Sequence, residues 1–277
     1  MALLAPMTRI AVIGGGKIGT ALIGGLIDGD VPPNRIHVAD ALPGRAEELG
    51  EQYGVTASQD APTAAEKADV VFICVKPHDV SAALESIAAP LDEAEGDPVV
   101  VSMAAGLTLE TLEHIMAAGT PVVRVMPNTP MLVGRGVSAI APGRFASAEV
   151  LDMVAELLSK VGVVEKVTEA QMDAVTAISG SGPAYFFQFI EAMCDGGVSL
   201  GLSRDQAQRL AVETMAGAAE MLAAEGVDPV QLRANVSSPG GTTVAATRAL
   251  DEHGLRGAVY AAMQACHDRS VELGQVE

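Results

Sequence analysis

The sequence contains no tryptophan, and aromatic residues make up only 3% of its 277 residues. Apolar residues nevertheless reach 49%, so the interior has to be assembled mainly from Ala, Val, Leu and Ile. Such small side chains favour close helix–helix and helix–sheet approach over a few large anchors. Cysteine is also scarce. Cys74, Cys194 and Cys266 are odd in number, far apart and form no CxxC pair, which excludes a disulfide framework and points to thiols in a reducing compartment. His37, His78, His114, His253 and His267 show no HxxxH or HExxH spacing, so no metal is expected. Positive charge is the third deficit. With 17 Lys and Arg against 35 Asp and Glu, the formal net charge is −18. That argues against a nucleic-acid or anionic-membrane partner, because phosphates select for Lys and Arg. The acidity reads as solubility or as adaptation to salt. No apolar run approaches the ~20 residues of a membrane span. Met1–Pro6 lacks the basic and apolar regions of a secretory signal. The fold is expected to start at Met7, and the protein to stay in the cytoplasm.

A chain of this length suggests two domains. Its first half alternates β-branched runs with amphipathic stretches, the pattern of a parallel sheet flanked by helices. Strands are expected at Arg9–Ile13, Ile36–Ala39, Val70–Val75, Val99–Ser102, Val122–Val125, Val137–Ile140 and Val163–Val167, with intervening helices. Beyond Thr168 the strand signals stop and the chain reads as helical, with Ser203 and Gln206 forming a capping box. The expected fold is therefore α/β, a parallel-sheet domain over 7–167 followed by an all-α domain over 168–277. Long Ala-rich helices in so small a second domain would leave apolar surface exposed, so a homodimer is the least assembly expected.

Several segments carry chemistry. Gly14-Gly15-Gly16-Lys17-Ile18-Gly19 fits GxGxxG directly after the first strand, where Gly14 permits the turn, Gly16 admits a pyrophosphate and Gly19 allows helix–strand packing. Otherwise it is a glycine-rich turn. Asp40 stands where a carboxylate accepts both ribose hydroxyls of NAD and repels a 2′-phosphate, while Arg45 is placed to offset that repulsion. Cys74-Val75-Lys76-Pro77, Met103-Ala104-Ala105-Gly106 and Met126-Pro127-Asn128-Thr129-Pro130 also end strands, where ligands bind in open α/β sheets. Lys76 faces cofactor phosphate or ribose, or is simply solvated. Small residues let a nicotinamide ring lie close, and Asn128 can hydrogen-bond its amide. Ser179–Tyr185 sets two small hydroxyls, Ser179 and Ser181, into a helical region. Ser238-Pro239-Gly240-Gly241-Thr242-Thr243 combines glycine amides, a helix start and hydroxyls, the makings of a carboxylate nest. It also reads as a plain helix–helix turn.

In their order and spacing these motifs resemble the pyrroline-5-carboxylate reductase family, from about Arg9 to near the C-terminus. The most specific stretch is Leu232-Arg233-Ala234-Asn235-Val236-Ser237-Ser238-Pro239-Gly240-Gly241-Thr242-Thr243, continuing to Ala249-Leu250-Asp251. The resemblance implies reduction of the cyclic imine 1-pyrroline-5-carboxylate to L-proline by NADPH or NADH. It implies a dinucleotide-binding Rossmann domain over 7–167 and an all-α dimerisation and substrate-binding domain over 168–277, interleaved with that of its twin, in a dimer or a larger ring up to a decamer of dimers. It places cofactor on Ile13–Gly19, on Asp40 and Ala41, on Cys74–Pro77 and on Met103, Ala104 and Ala105, with Asn235 and Glu169 also on the cofactor. Substrate would lie over Ser238, Gly240, Gly241, Thr242 and Thr243, with Ser181 nearby and Thr243 as the catalytic contact to the ring nitrogen. Many members carry Ser or Arg after the second strand; Asp40-Ala41 departs from that and leaves the choice of NADH or NADPH open.

A protonated cyclic imine already accepts a hydride well, so the protein need only hold the reactants in aligned geometry. This agrees with a sequence that has no Ser-His-Asp, Cys-His or paired-carboxylate constellation. Two other readings remain: a dehydrogenase of small hydroxy acids, which needs a Lys or His base that no motif of the helical half supplies, and a nucleotide sensor without catalysis, which needs no substrate nest.

Overall fold

Residues 8–94, 96–224 and 226–275 are described by a computed structural model. The start expected at Met7 and the reading of Met1–Pro6 lie outside these residues. The chain divides into two compact units, one built on residues up to Ser181 and from Cys266 onward, the other on Gly182–Ala265.

The first unit is organised by a single eight-stranded sheet of order β3-β2-β1-β4-β5-β6-β7-β8. Its strands are β1 (Ile10–Ile13), β2 (Ile36–Ala39), β3 (Thr56–Ser58), β4 (Val70–Ile73), β5 (Val99–Ser102), β6 (Val122–Met126), β7 (Gly136–Pro142) and β8 (Gly162–Lys166). β1, β4 and β5 are buried at every position. Strands covered on both faces read as unbroken apolar runs, which is why IAVI and VVFI are so legible. Alternate side chains feed two cores. Val12, Phe72 and Val101 pack with Leu22 and Leu26 of α1 (Lys17–Asp28), Leu49 of α2 (Arg45–Tyr53) and Val154 and Leu157 of α6 (Ala148–Leu158). Ala11, Val71 and Val100 pack on the other face with α3 (Ala61–Ala65), Leu84 and Ile87 of α4 (Val80–Asp92) and Leu112 of α5 (Leu109–Ile115).

Two features depart from the sequence-based expectation. The sheet is not wholly parallel: β7 runs antiparallel to β6, and β8 is parallel to β7. The connection over 127–135 is too short for the crossover that a parallel return requires. In addition, β3 and α3 stand where no strand or helix is expected. β3 is a short edge strand of Thr, Ala and Ser with no apolar alternation, and α3 is a five-residue helix opened by a proline in its first turn.

After β8, Thr168 begins a one-turn segment (Glu169–Gln171), followed by α7 (Met172–Val175) and a π-helical turn, Thr176–Gly180. The second unit contains α8 (Gly182–Ser199), α9 (Arg204–Ala223), α10 (Pro229–Asn235), α11 (Thr242–Glu252) and the opening of α12 (Leu255–Gly274). The capping box at Ser203 and Gln206 forms as the residues suggest. This unit has almost no interior of its own. Its buried cluster is Cys194, Ala207 and Ala211 with Ile190 against them, while Phe186, Phe187, Leu210 and Tyr260 are exposed and Leu200 is 88% exposed.

Candidate functional site

Strand pairing aligns the carboxyl ends of β1, β2, β4 and β5 on one edge of the sheet. The Gly14 N–H donates to the Ala39 carbonyl at 2.7 Å, the Cys74 N–H to Ile13 at 2.7 Å and the Met103 N–H to Ile73 at 3.0 Å. Ile13, Ala39, Cys74 and Met103 are thus adjacent. The glycine loop between β1 and α1 is fixed by close packing. Gly14 has φ +104°, and a Cβ there would lie 2.8 Å from the Cys74 carbonyl carbon and the Val75 nitrogen. A Cβ on Gly19 would collide with the Gly14 carbonyl oxygen, and one on Gly15 would lie 2.7 Å from Leu49 Cδ1. Gly16 differs: a Cβ there meets nothing within 4 Å. Gly16 is also the N-cap of α1 and provides no side-chain cap, so the first-turn amides face open space beside exposed Lys17 and half-buried Ile18. An uncapped helix start of this kind receives anions.

Asp40 and Arg45 hold that loop from outside. Asp40 accepts the Gly15 N–H on Oδ2 at 2.6 Å and the Leu42 N–H on Oδ1 at 2.8 Å. Arg45 donates from Nε to the Gly15 carbonyl at 2.8 Å, from its second terminal nitrogen to Thr20 Oγ1 at 2.8 Å, and from the first to Glu48 at 3.0 Å. Gly15 is gripped at both its N–H and its C=O. Ala41 follows, exposed. Next along the edge, the Cys74 thiol lies 3.7 Å from Met103 Sδ, and burial pushes its pKa up to about 12. Lys76 and Pro77 are exposed, with Lys76 preceding the one-turn helix Pro77–Asp79. Met103 and Ala104 are buried, Ala105 less so.

Asn128, just past β6, donates from Nδ2 to the Ser179 carbonyl at 3.0 Å and accepts the Val137 N–H on Oδ1 at 2.8 Å. It thereby joins β7 to the π-helical turn, from which Ser181 follows directly. Ser181 Oγ lies 3.1 Å from Cys266 Sγ. Glu169 accepts the Leu109 N–H at 2.5 Å and pairs with Arg124 at 3.1 Å.

The second unit carries the other set. Gly240 has φ +69°, Gly241 donates its N–H to the Ser238 carbonyl at 2.9 Å, and Gly241 is the N-cap of α11 without a side-chain cap. Ser238 and Gly240 are exposed, as is Thr242, and Thr243 is half-buried on the first turn. By contrast, α9 and α6 are closed by Ser203 and Ser147. Asn235 ends α10, exposed, and accepts from Gln231 at 2.7 Å. Among the described residues no group of three or more His, Cys, Asp or Glu could hold a metal, and no helix is long and apolar enough to cross a membrane.

A family model for pyrroline-5-carboxylate reductase dimerisation matches residues 169–273, and one for coenzyme F420-dependent NADP oxidoreductases matches 9–106. The chain is 53% identical over 269 residues to the pyrroline-5-carboxylate reductase of Corynebacterium melassecola, covering 97% of this chain and all of that one. It belongs to the pyrroline-5-carboxylate reductase family. Among solved structures, the pyrroline-5-carboxylate reductase of Coxiella burnetii superposes with a TM-score of 0.92 at 34% identity, over 98% of this chain and 100% of the other. The Plasmodium falciparum pyrroline carboxylate reductase, solved with NADP bound, gives 0.85 at 28% identity over 97% and 98%. The family is one of NAD(P)-dependent oxidoreductases, and the dimerisation match accounts for the outward apolar side chains of the helical unit.

The sheet edge therefore gathers Ile13–Gly19, Asp40, Ala41, Cys74–Pro77 and Met103–Ala105 in one place. Asn128 and Ser181 belong to the same unit, and Asn235 with Ser238–Thr243 to the other. Three features were not legible beforehand: the two-sided grip on Gly15, the Arg124–Glu169 pair, and the π-helical turn. A buried arginine inside a strand of valines, Val122-Val123-Arg124-Val125, was the one available hint of the second.

Proposed function

We propose that this chain reduces 1-pyrroline-5-carboxylate to L-proline with a nicotinamide dinucleotide, the last step of proline biosynthesis, in the cytoplasm. The observation that carries the proposal is α11: its start is opened by Gly240 in a left-handed conformation and by Gly241, an N-cap that makes no side-chain cap. That is a receptor for a carboxylate, the group the substrate presents. Residues 7–167 act as the nucleotide domain and 168–277 as the dimerisation and substrate domain. The chain works as a homodimer at least, with dimers free to assemble into a larger ring up to a decamer of dimers.

Ile13–Gly19 would hold the pyrophosphate at the start of α1, Asp40 and Ala41 the adenosine ribose, and Cys74–Pro77, Met103–Ala105 and Asn235 the remainder. The open space at Gly16 fits such a group. The dinucleotide, when bound, supplies a hydride to the imine carbon. The chain's own residues do the rest. Amides of Gly240–Thr243 and the Ser238 hydroxyl bind the carboxylate, with Ser181 beside the ring. The Thr243 hydroxyl orients the ring nitrogen and keeps a proton on it, so that the C=N electron pair ends as the nitrogen lone pair of proline.

NADH is the favoured reductant in this proposal. Each Asp40 oxygen accepts one backbone N–H and keeps capacity for a ribose hydroxyl, whereas its charge opposes a 2′-phosphate. Arg45, which would neutralise that phosphate, is engaged by Gly15, Thr20 and Glu48. The test is purified protein with 1-pyrroline-5-carboxylate and either NADH or NADPH, followed by cofactor absorbance. Proline formation, faster with NADH, is the expected result; no oxidation of either cofactor would overturn the proposal.

A further inference from the structure

The side chain of Asn128 is committed to protein partners. It is 8% exposed, its carbonyl oxygen accepts the Val137 N–H at 2.8 Å, and its amide nitrogen donates to the Ser179 carbonyl at 3.0 Å. Ser179 belongs to the π-helical turn that follows the four-residue α7. In that turn the Ser181 N–H reaches back to the Thr176 carbonyl at 2.9 Å. A single π turn is a costly departure from α geometry and recurs at functional sites, where it re-aims the residues that follow. The Thr176 and Ser179 hydroxyls donate back to the carbonyls of Met172 and Val175, which commits their protons within the turn. The turn sits against the end of β6: a Cβ on Gly180 would collide with Met126 Cε. Its one side-chain hydrogen bond from the strand side, among the described residues, comes from the Asn128 amide.

We infer that Asn128 is a positioning residue: its amide ties the start of β7 to the Ser179 carbonyl and so holds the π turn that presents Ser181 to the substrate. This assigns it no direct contact with the nicotinamide amide. The inference rests on the proposed substrate role of Ser181. Asn128→Ala removes both arms of the bridge. Asn128→Asp keeps an acceptor for the Val137 N–H and sets an oxygen against the Ser179 carbonyl, so it isolates the arm that matters.

The test compares the wild type and both variants in three readouts: kinetics with the imine, NADH affinity by fluorescence titration, and amide hydrogen exchange. Both variants are expected to lose roughly 10- to 30-fold in kcat/KM for the imine, a scale set by a misplaced donor. NADH affinity stays within about twofold, exchange in 176–182 accelerates, and 70–73 in β4 stays protected, which shows the sheet is intact. A tenfold loss of NADH affinity with 176–182 still protected would overturn the inference, since Asn128 would then touch the cofactor. Unchanged imine kinetics with faster exchange would overturn it as well. If the wild type itself fails to reduce the imine, the functional proposal fails, and the exchange readout still decides whether Asn128 holds the turn.

Discussion

Thr243→Ala removes the one hydroxyl proposed to address the ring nitrogen of the substrate, and the structure makes the cost separable from folding. Thr243 lies on the first turn of α11, whose N-cap is Gly241 with no side-chain cap. Its backbone carbonyl accepts the Thr247 hydroxyl at 3.0 Å, a bond that alanine retains. Alanine also has the higher helix propensity, by about 0.5 kcal/mol, so melting temperature is expected to stay within ~2 °C of wild type. Loss of a single aimed hydrogen-bond partner of the protonated ring nitrogen should lower turnover by roughly 10- to 100-fold, about 1.4–2.7 kcal/mol of barrier. The assay is steady-state reduction of 1-pyrroline-5-carboxylate, with NADH affinity measured separately and expected to be unchanged. Thr243→Ser, which keeps the hydroxyl, should recover most of the rate. Unchanged turnover in Thr243→Ala, or a loss that Thr243→Ser does not restore, would refute the role.

Asp40→Ser should raise the NADPH-to-NADH ratio of kcat/KM by about tenfold or more, by removing a charge that opposes the 2′-phosphate; a ratio that does not move would place specificity elsewhere. Gly14→Ala should abolish dinucleotide binding and lower the melting temperature, because φ +104° and a Cβ 2.8 Å from the Cys74–Val75 peptide leave no room. Cys74 should resist iodoacetamide at pH 8.5 in the folded protein and react in urea, since the thiolate is the nucleophile and burial pushes the thiol from 9.0 up to about 12. The same shift has a sign for stability. The unfolded thiol ionises first, so its contribution is intact below pH 9 and is lost as pH rises toward 12. Rapid labelling of folded Cys74 would contradict the raised thiol pKa.

What could be read in advance follows from how local each constraint is. The glycine loop was legible because Gly14 and Gly19 answer to contacts inside one strand–turn–helix unit. β1 and β4 were legible because burial on both faces leaves only apolar residues. β3 was not, since an edge strand of Thr56, Ala57 and Ser58 needs no apolar face. The antiparallel β7 depended on a connection too short for a crossover, whose length is visible but whose irregular path is not. The lock on Gly15 joins residues 25 and 30 positions apart, and Asn128 meets Ser179 across 51; no pattern of types encodes such pairings. The carboxylate nest was readable as composition, while the absence of a side-chain cap at α11 was a matter of geometry.

The claim everything else depends on is that the Ser238–Thr243 turn grips the substrate's carboxylate. Crystallography of the protein with oxidised dinucleotide and proline tests it most directly. The carboxylate oxygens are expected on the amides of Gly240–Thr243 and the Ser238 hydroxyl, with the proline nitrogen on Thr243 Oγ1. Proline bound beside the dinucleotide with its carboxylate held by other residues would contradict the account.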